Sequence, residues 1–159
     1  MADIKAKYGT STQTITITVA SLATAGARES TAIDNTTNVF LDALVLVKLK
    51  SGAASTAATG YVNVYAYGTA DGGSTYSGTA TGTDAAITLT VPPNSRLIGV
   101  MNMVANATTY KAIFSVAQAF GGVLPDHWGI IIENQSGGTL DATGGNHSVV
   151  YQGVLAQSV

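Results

Sequence analysis

The feature that most constrains this fold is a strict alternation of apolar and polar residues along several short segments. Residues 12–19 read TQTITITV, with Ile15, Ile17 and Val19 separated by threonines. Side chains two residues apart lie on the same face of a β-strand, so this pattern predicts a half-buried strand. The β-branched residues that fill it are themselves enriched in strands.

The same kind of pattern predicts eight strands in all. Glycine, proline, asparagine and aspartate cluster between them, where these residues favour turns. Short strands separated by regular turn signals are typical of sandwiches and barrels, and no long helical periodicity competes with them. We therefore expect an all-β protein, an antiparallel sandwich of about eight strands that is jelly-roll-like. The predicted strands are residues 12–19, 39–50, 61–67, 87–91, 96–104, 110–114, 128–134 and 147–155.

The pattern also predicts how the chain is organised around these strands. Residues 1–10 are expected to form an N-terminal arm, with Lys5 and Lys7, that becomes ordered against a neighbouring molecule. Residues 11–159 are expected to form a single β-sandwich domain. Within it, residues 20–38 are rich in Ala, Ser, Thr and Asn and predict a long loop.

Charged residues are scarce in this sequence, at 10% against about 25% in a typical soluble domain. Protein interfaces are likewise depleted in Lys, Glu and Asp, so this scarcity predicts that much of the surface meets other subunits. A secreted β-protein with a threonine-rich exterior is the alternative. The net charge is −2 and the basic residues form no stripe, so we expect no nucleic-acid partner. No apolar run is long enough for a membrane span, and the polar start predicts a cytoplasmic site of synthesis.

Residues that could carry catalysis do not form a recognisable set. His127 and His147 have no partners at the spacing of a metal or hydrolase motif, and no nucleophile elbow is present. Glu133 is the only acidic residue that we consider for a glycosidase, since most of the others lie in predicted turns. Asp71 and Asp141 precede glycine-rich stretches, which fit either local turns or a calcium site. We therefore expect no enzyme, no catalytic residue, no cofactor and no metal.

Three tyrosines are the main candidates for a contact surface. Tyr61, Tyr65 and Tyr67 alternate along one predicted strand and so share a face. Such a face fits three roles, namely a flank of the core, an interface or a platform for a ligand such as a sugar. Together with Lys5 and Lys7, these tyrosines are the predicted interface residues.

Several stretches of the sequence resemble a known class of proteins. The stretch LPDHWGIIIENQSGGTLDATGGNHSVVYQGV, with NVYAYGTADGGSTY and LTVPPNSRLIGV before it, is similar to small structural proteins of tailed bacteriophages. The similarity covers most of residues 39–154, and among such proteins the capsid decoration (cement) proteins are a good match in size and expected fold. These motifs are not catalytic signatures and carry over no functional residue.

The resemblance implies a place for the chain and a set of partners. A decoration protein would lie on the capsid surface of the virion and bind the major capsid protein. It would also bind other copies of itself, as a homotrimer, and would need neither nucleic acid nor a membrane. A phage tail or baseplate protein and a carbohydrate-binding or adhesion module are the alternatives.

Overall fold

Two antiparallel β-sheets pack face to face in this protein, which confirms the predicted all-β sandwich. The computed structural model describes residues 3–54, 56–91 and 93–159, and in these ranges the chain forms eleven strands and two short 3₁₀ helices. The strands are β1 (Ile4–Tyr8), β2 (Gln13–Thr14), β3 (Ala27–Glu29), β4 (Ile33–Asp34), β5 (Asp42–Lys50), β6 (Tyr61–Thr69), β7 (Ala85–Ile87), β8 (Arg96–Asn102), β9 (Thr109–Ser115), β10 (His127–Gln135) and β11 (Ser148–Ser158). The 3₁₀ helices are Ala117–Phe120 and Gly144–Asn146.

Eight of these strands form four nested antiparallel pairs. β1 pairs with β11, β3 with β10, β5 with β9 and β6 with β8, so the pairs enclose one another along the sequence. Pairing of β11 with β5, and of β10 with β6, then joins the four pairs into two sheets. The first sheet has the order β1-β11-β5-β9 and the second has the order β7-β3-β10-β6-β8. Nested antiparallel pairs rolled into two sheets form a jelly roll, as the sequence predicted.

The segment between residues 12 and 38 departs from its prediction. Only Gln13–Thr14 of the predicted strand 12–19 joins a ladder as β2. After β2, the amide of Ile15 donates to the Val149 carbonyl in the first sheet. The carbonyl of the next residue, Thr16, accepts from the Thr31 amide near the second sheet. The segment therefore crosses from one sheet to the other. The predicted loop that follows holds β3 and β4, which pair with β10.

Other boundaries also differ, since β5 begins at Asp42 instead of residue 39 and β8 ends at Asn102 instead of residue 104. The predicted strand 87–91 lies slightly earlier, at Ala85–Ile87, because only those residues meet β3. Residues 4–8 of the predicted N-terminal arm form β1, which pairs with the far end of β11.

The core lies between the two sheets and is built from the alternation that the sequence shows. Every second residue of β5 points inward and is buried, from Ala43 to Leu49. On β10, Trp128 packs edge to face on Tyr151 of β11, with ring centroids 5.2 Å apart. The other large contributors are Val62, Val64, Met101, Met103, Ile130, Ile132, Leu140 and Val149.

A second apolar cluster covers the outer face of the second sheet. Tyr65, Tyr67 and Ile131 pack there beneath a segment that includes Tyr76 and Leu89. The hydroxyl of Tyr67 donates to the Ser30 carbonyl at 2.6 Å. The second sheet is therefore buried on both faces along β10, whereas Tyr61, Leu97 and Val100 on its β6–β8 side remain exposed.

Glycine is required where the Tyr67 ring crosses β10. A Cβ atom at Gly129 would overlap ring atoms of Tyr67, which is fully buried and could move only by displacing its own neighbours. By contrast, a Cβ atom at Gly144 would meet open space.

We expect Gly129→Ala to lower the free energy of unfolding by about 1–3 kcal/mol, because overpacking forces the ring or the strand to shift. Gly144→Ala, the matched control, should change it by less than about 0.5 kcal/mol. Urea denaturation of both variants checks this. Equal stabilities for the two variants would show that the ring does not lie against β10.

Candidate interaction surface

The two histidines differ in their contacts. His147 lies within 2.8 Å of the Asp141 carbonyl through Nε2, and its Nδ1 accepts a long hydrogen bond from the Lys50 amide. His127 begins β10, with Nε2 3.9 Å from an Asp34 oxygen and Nδ1 3.6 Å from an Asp126 oxygen. In the described part of the chain neither imidazole hydrogen-bonds a serine or threonine hydroxyl. The geometry gives His147 a structural role in holding the turn before β11 to β5.

The acidic turns bind their own backbone. Asp71 accepts hydrogen bonds from the amides of Ser74 and Thr75, both at 3.0 Å. A hydrogen bond from the Thr69 hydroxyl is the largest cause that lowers the Asp71 pKa, to about 2.

Glu133, the acidic residue considered for a glycosidase, accepts a hydrogen bond from the Asn63 side chain at 2.8 Å. Across residues 3–54, 56–91 and 93–159, no three His, Cys, Asp or Glu side chains group as metal ligands.

The turn at Asp141 is held in the same way. Its carboxylate accepts from the Asn146 side chain at 2.8 Å and the Thr143 amide at 2.9 Å, and lies 3.3 Å from the Lys50 ammonium. The hydrogen bond from Asn146 is the largest of the causes that lower the Asp141 pKa. Both acidic turns are thus satisfied locally, as the turn interpretation of the sequence expects.

The three predicted tyrosines do not share one exposed surface. Tyr67 is fully buried and Tyr65 nearly so, both within the second cluster described above. Burial, followed by the charge of Glu133, raises the pKa of Tyr65 to about 12, and its hydroxyl donates to that carboxylate at 3.1 Å. Tyr61, 39% exposed at the start of β6, alone remains available to a partner.

Lys5 and Lys7 lie on a two-stranded ribbon that β1 forms with residues 154–158 of β11. Both lysines share one face of this ribbon, and Ile4, Ala6 and Tyr8 share the other. All five side chains are exposed. The lysines therefore belong to the first sheet and the tyrosines to the second, so the predicted residues do not form a single cluster.

The outer face of the first sheet is uncovered and apolar at its centre. Val150, Leu46 and Ile113 are direct neighbours across three strands, and Leu44 lies beside them. With Thr12, Tyr151 and Gln152, these residues line a shallow depression of about 200 Å³. A larger recess of about 640 Å³ elsewhere is lined mainly by small and polar residues and by Asp141, which is already hydrogen-bonded.

Two lysines lie together at one end of this apolar face. Lys48 of β5 and Lys111 of β9 are directly opposite each other in the ladder. Within the described residues neither ammonium group forms a salt bridge, whereas Lys50, two residues further along β5 on the same face, pairs with Asp141. Like charges directly opposite each other destabilise a sheet, so this lysine pair lowers the stability of the first sheet.

Comparisons with known proteins assign no family to the chain. No protein-family model matches it, and neither the curated proteins nor the solved structures give a match. No helix in the described ranges is long and apolar enough to span a membrane. The candidate surface is therefore defined by its own contacts and charges.

Sequence reasoning did not select this outer face, although a signal for it is present. Along β5, Asp42, Leu44, Leu46, Lys48 and Lys50 share the face opposite the core-facing valines, and this face is apolar at its centre and charged at its ends. The meeting of Lys48 with Lys111 has no such signal, because it depends on the register between β5 and β9.

We expect Lys111→Glu to raise the free energy of unfolding at low salt by about 0.5–1 kcal/mol, because it replaces a like-charge cross-strand pair with an opposite-charge pair. The gain should shrink at high salt, which screens exposed charges. Urea denaturation at both salt concentrations measures it. The control Arg96→Glu makes the same change in charge opposite Ala66. A gain of the same size in the control would contradict the proposed repulsion.

We expect stability to fall as the pH drops below about 4, the usual pKa of an unfolded aspartate. The folded pKa values of Asp71, Asp84 and Asp141 are lowered. Their contribution is therefore complete above the unfolded pKa and is lost as the pH falls through the folded values. Asp141→Asn should make the stability less dependent on pH in this range, as measured by thermal denaturation between neutral pH and about pH 2. If the stability of Asp141→Asn depended on pH as the wild type does, Asp141 would not contribute to the loss of stability in acid.

Proposed function

We propose that this chain is a capsid decoration (cement) protein of a tailed bacteriophage. In this role it binds the outer surface of the phage head and stabilises contacts between major capsid proteins. It works without catalysis, cofactor or nucleic acid, and it is made in the host cytoplasm before it joins the virion.

The observation that carries the proposal is the character of the exposed surface. Large apolar side chains are exposed on both sheets and on the ribbon, in a chain of which only 10% is charged. Exposed apolar patches on a folded protein mark interaction sites, and interfaces are depleted in charged residues. The exposed large apolar residues are Ile4, Tyr8, Val39, Leu41, Tyr61, Val91, Leu97, Val100, Val104, Ile113, Val123 and Val159.

The fold is compatible with the proposal without deciding it. Jelly rolls occur in viral capsid proteins, and also in lectins and in other families. A shared fold does not assign a function, so the proposal of a phage protein rests on the sequence resemblance.

The ribbon of β1 and β11 supports a role in assembly. A two-stranded ribbon alone is only marginally stable in water, and this one has both faces exposed. Contact with a neighbouring copy or with the shell would stabilise it, and Lys5 and Lys7 would lie in that contact. Modest contacts of this kind gain strength through avidity when three copies bind a repeating surface together.

Electron cryomicroscopy of the virion tests the proposal. We expect density for the jelly roll at symmetry-related positions on the outside of the head, and a homotrimer by light scattering of the isolated protein. Density only on the tail or baseplate would overturn the head assignment in favour of the alternative virion role. Absence from both head and tail, with a monomer that is retained on a polysaccharide column, would favour an adhesion module instead.

A further inference from the structure

We propose that the outer face of the first sheet docks a protein surface that presents an apolar side chain beside carboxylates. This inference rests on the proposed function, under which the partner is a subunit of the capsid shell. It assigns the docking surface of the chain and the chemistry of the surface that it meets.

The two sheets differ in what covers their outer faces. Around β10 the outer face of the second sheet is closed by the chain's own segment that contains Tyr76, Ala80 and Leu89, and only its β6–β8 side keeps exposed apolar side chains. That segment is fixed by the buried Glu29 carboxylate, which accepts hydrogen bonds from the Thr81 amide and hydroxyl at 2.8 and 2.7 Å. No described segment covers the outer face of the first sheet in this way, and Ile113 on its edge strand β9 is 65% exposed.

The centre of the uncovered face is shaped to receive an apolar side chain. Val150, Leu46 and Ile113 form one row across three strands, and Leu44 extends the row toward the 3₁₀ helix Ala117–Phe120. These branched side chains have little rotamer freedom to lose on binding compared with lysine or glutamate. The depression that they line has room for one or two apolar side chains of a partner, rather than for a large ligand.

The charges at the edge of this face identify the partner's chemistry. Lys48 and Lys111 lie opposite each other on the same face as Leu46 and Ile113, two residues further along the ladder, and neither forms a salt bridge with a described carboxylate. A partner carboxylate placed between the two ammonium groups would relieve their repulsion and be stabilised by both. The apolar row and the lysine pair adjoin each other, so a single partner segment can contact both.

A second copy of this face is a poorer occupant. Face-to-face packing with the lysine ends together would place four lysines at one interface. The reversed orientation would offer them Asp42, whose carboxylate already accepts hydrogen bonds from Ser115 at 2.8 Å and the Ala117 amide at 2.9 Å. The charges therefore favour a different protein surface.

Binding of purified variants to phage heads assembled without this chain tests the inference. The probe is the head itself, and co-sedimentation gives the affinity. We expect Ile113→Ser and Lys111→Glu each to weaken binding by at least about tenfold, as for residues at the centre of an interface. Val91→Ser, at a 97% exposed position next to the segment over the second sheet, and Arg96→Glu on β8 are the matched controls and should bind within about twofold of the wild type.

Each outcome separates this inference from the proposed function. Wild-type protein that fails to bind the heads overturns the proposed function, and the inference falls with it. If the wild type binds and Ile113→Ser and Lys111→Glu bind equally well, the assignment of the face is wrong while the proposed function stands. If either variant instead converts a wild-type oligomer to monomers, the face holds a second copy and the inference is overturned. Thermal denaturation confirms that each variant is folded, and Lys111→Glu should melt no lower than the wild type.

Discussion

The structure depends on the burial of β10 on both of its faces. One face carries Trp128, Ile130 and Ile132 into the core between the sheets, and the other carries Ile131 into the cluster beneath Tyr76. Its two edges are also satisfied, by β6 on one side and by β3 and β4 on the other. The second sheet is closed in this way along β10, whereas no described segment covers the outer face of the first sheet.

The principal strands could be predicted from the sequence because each shows its own periodicity. β5 is the clearest case, with alternating residues buried from Ala43 to Leu49. The short strands β3 and β4 could not be predicted, since each has two or three residues and forms only because an edge of β10 is open to it. The crossing of residues 15–19 between the sheets could not be predicted either. The alternation of apolar and polar residues indicates which side chains are buried, but not which strand each residue pairs with.

The candidate surface was predictable only in part. Alternation correctly placed Tyr61, Tyr65 and Tyr67 in one strand, but it could not show that a distant segment closes over the last two. Conversely, Lys48 and Lys111 are far apart in the sequence and meet only through the register of β5 with β9. A low content of charged residues signals that a surface is used in assembly, whereas the location of that surface depends on tertiary structure.

The nested pairing also has a consequence for how the chain can reach this structure. β6 and β8 are the innermost pair, and once they meet, β5 and β9 are separated by only the short segments 51–60 and 103–108. The entropy cost of closing a loop rises with its length, so each pair formed in this order shortens the loop that the next pair must close. The pairing of β1 with β11 spans almost the whole sequence, yet this fold can be assembled from the innermost pair outward. In that order β1 is the last strand to pair.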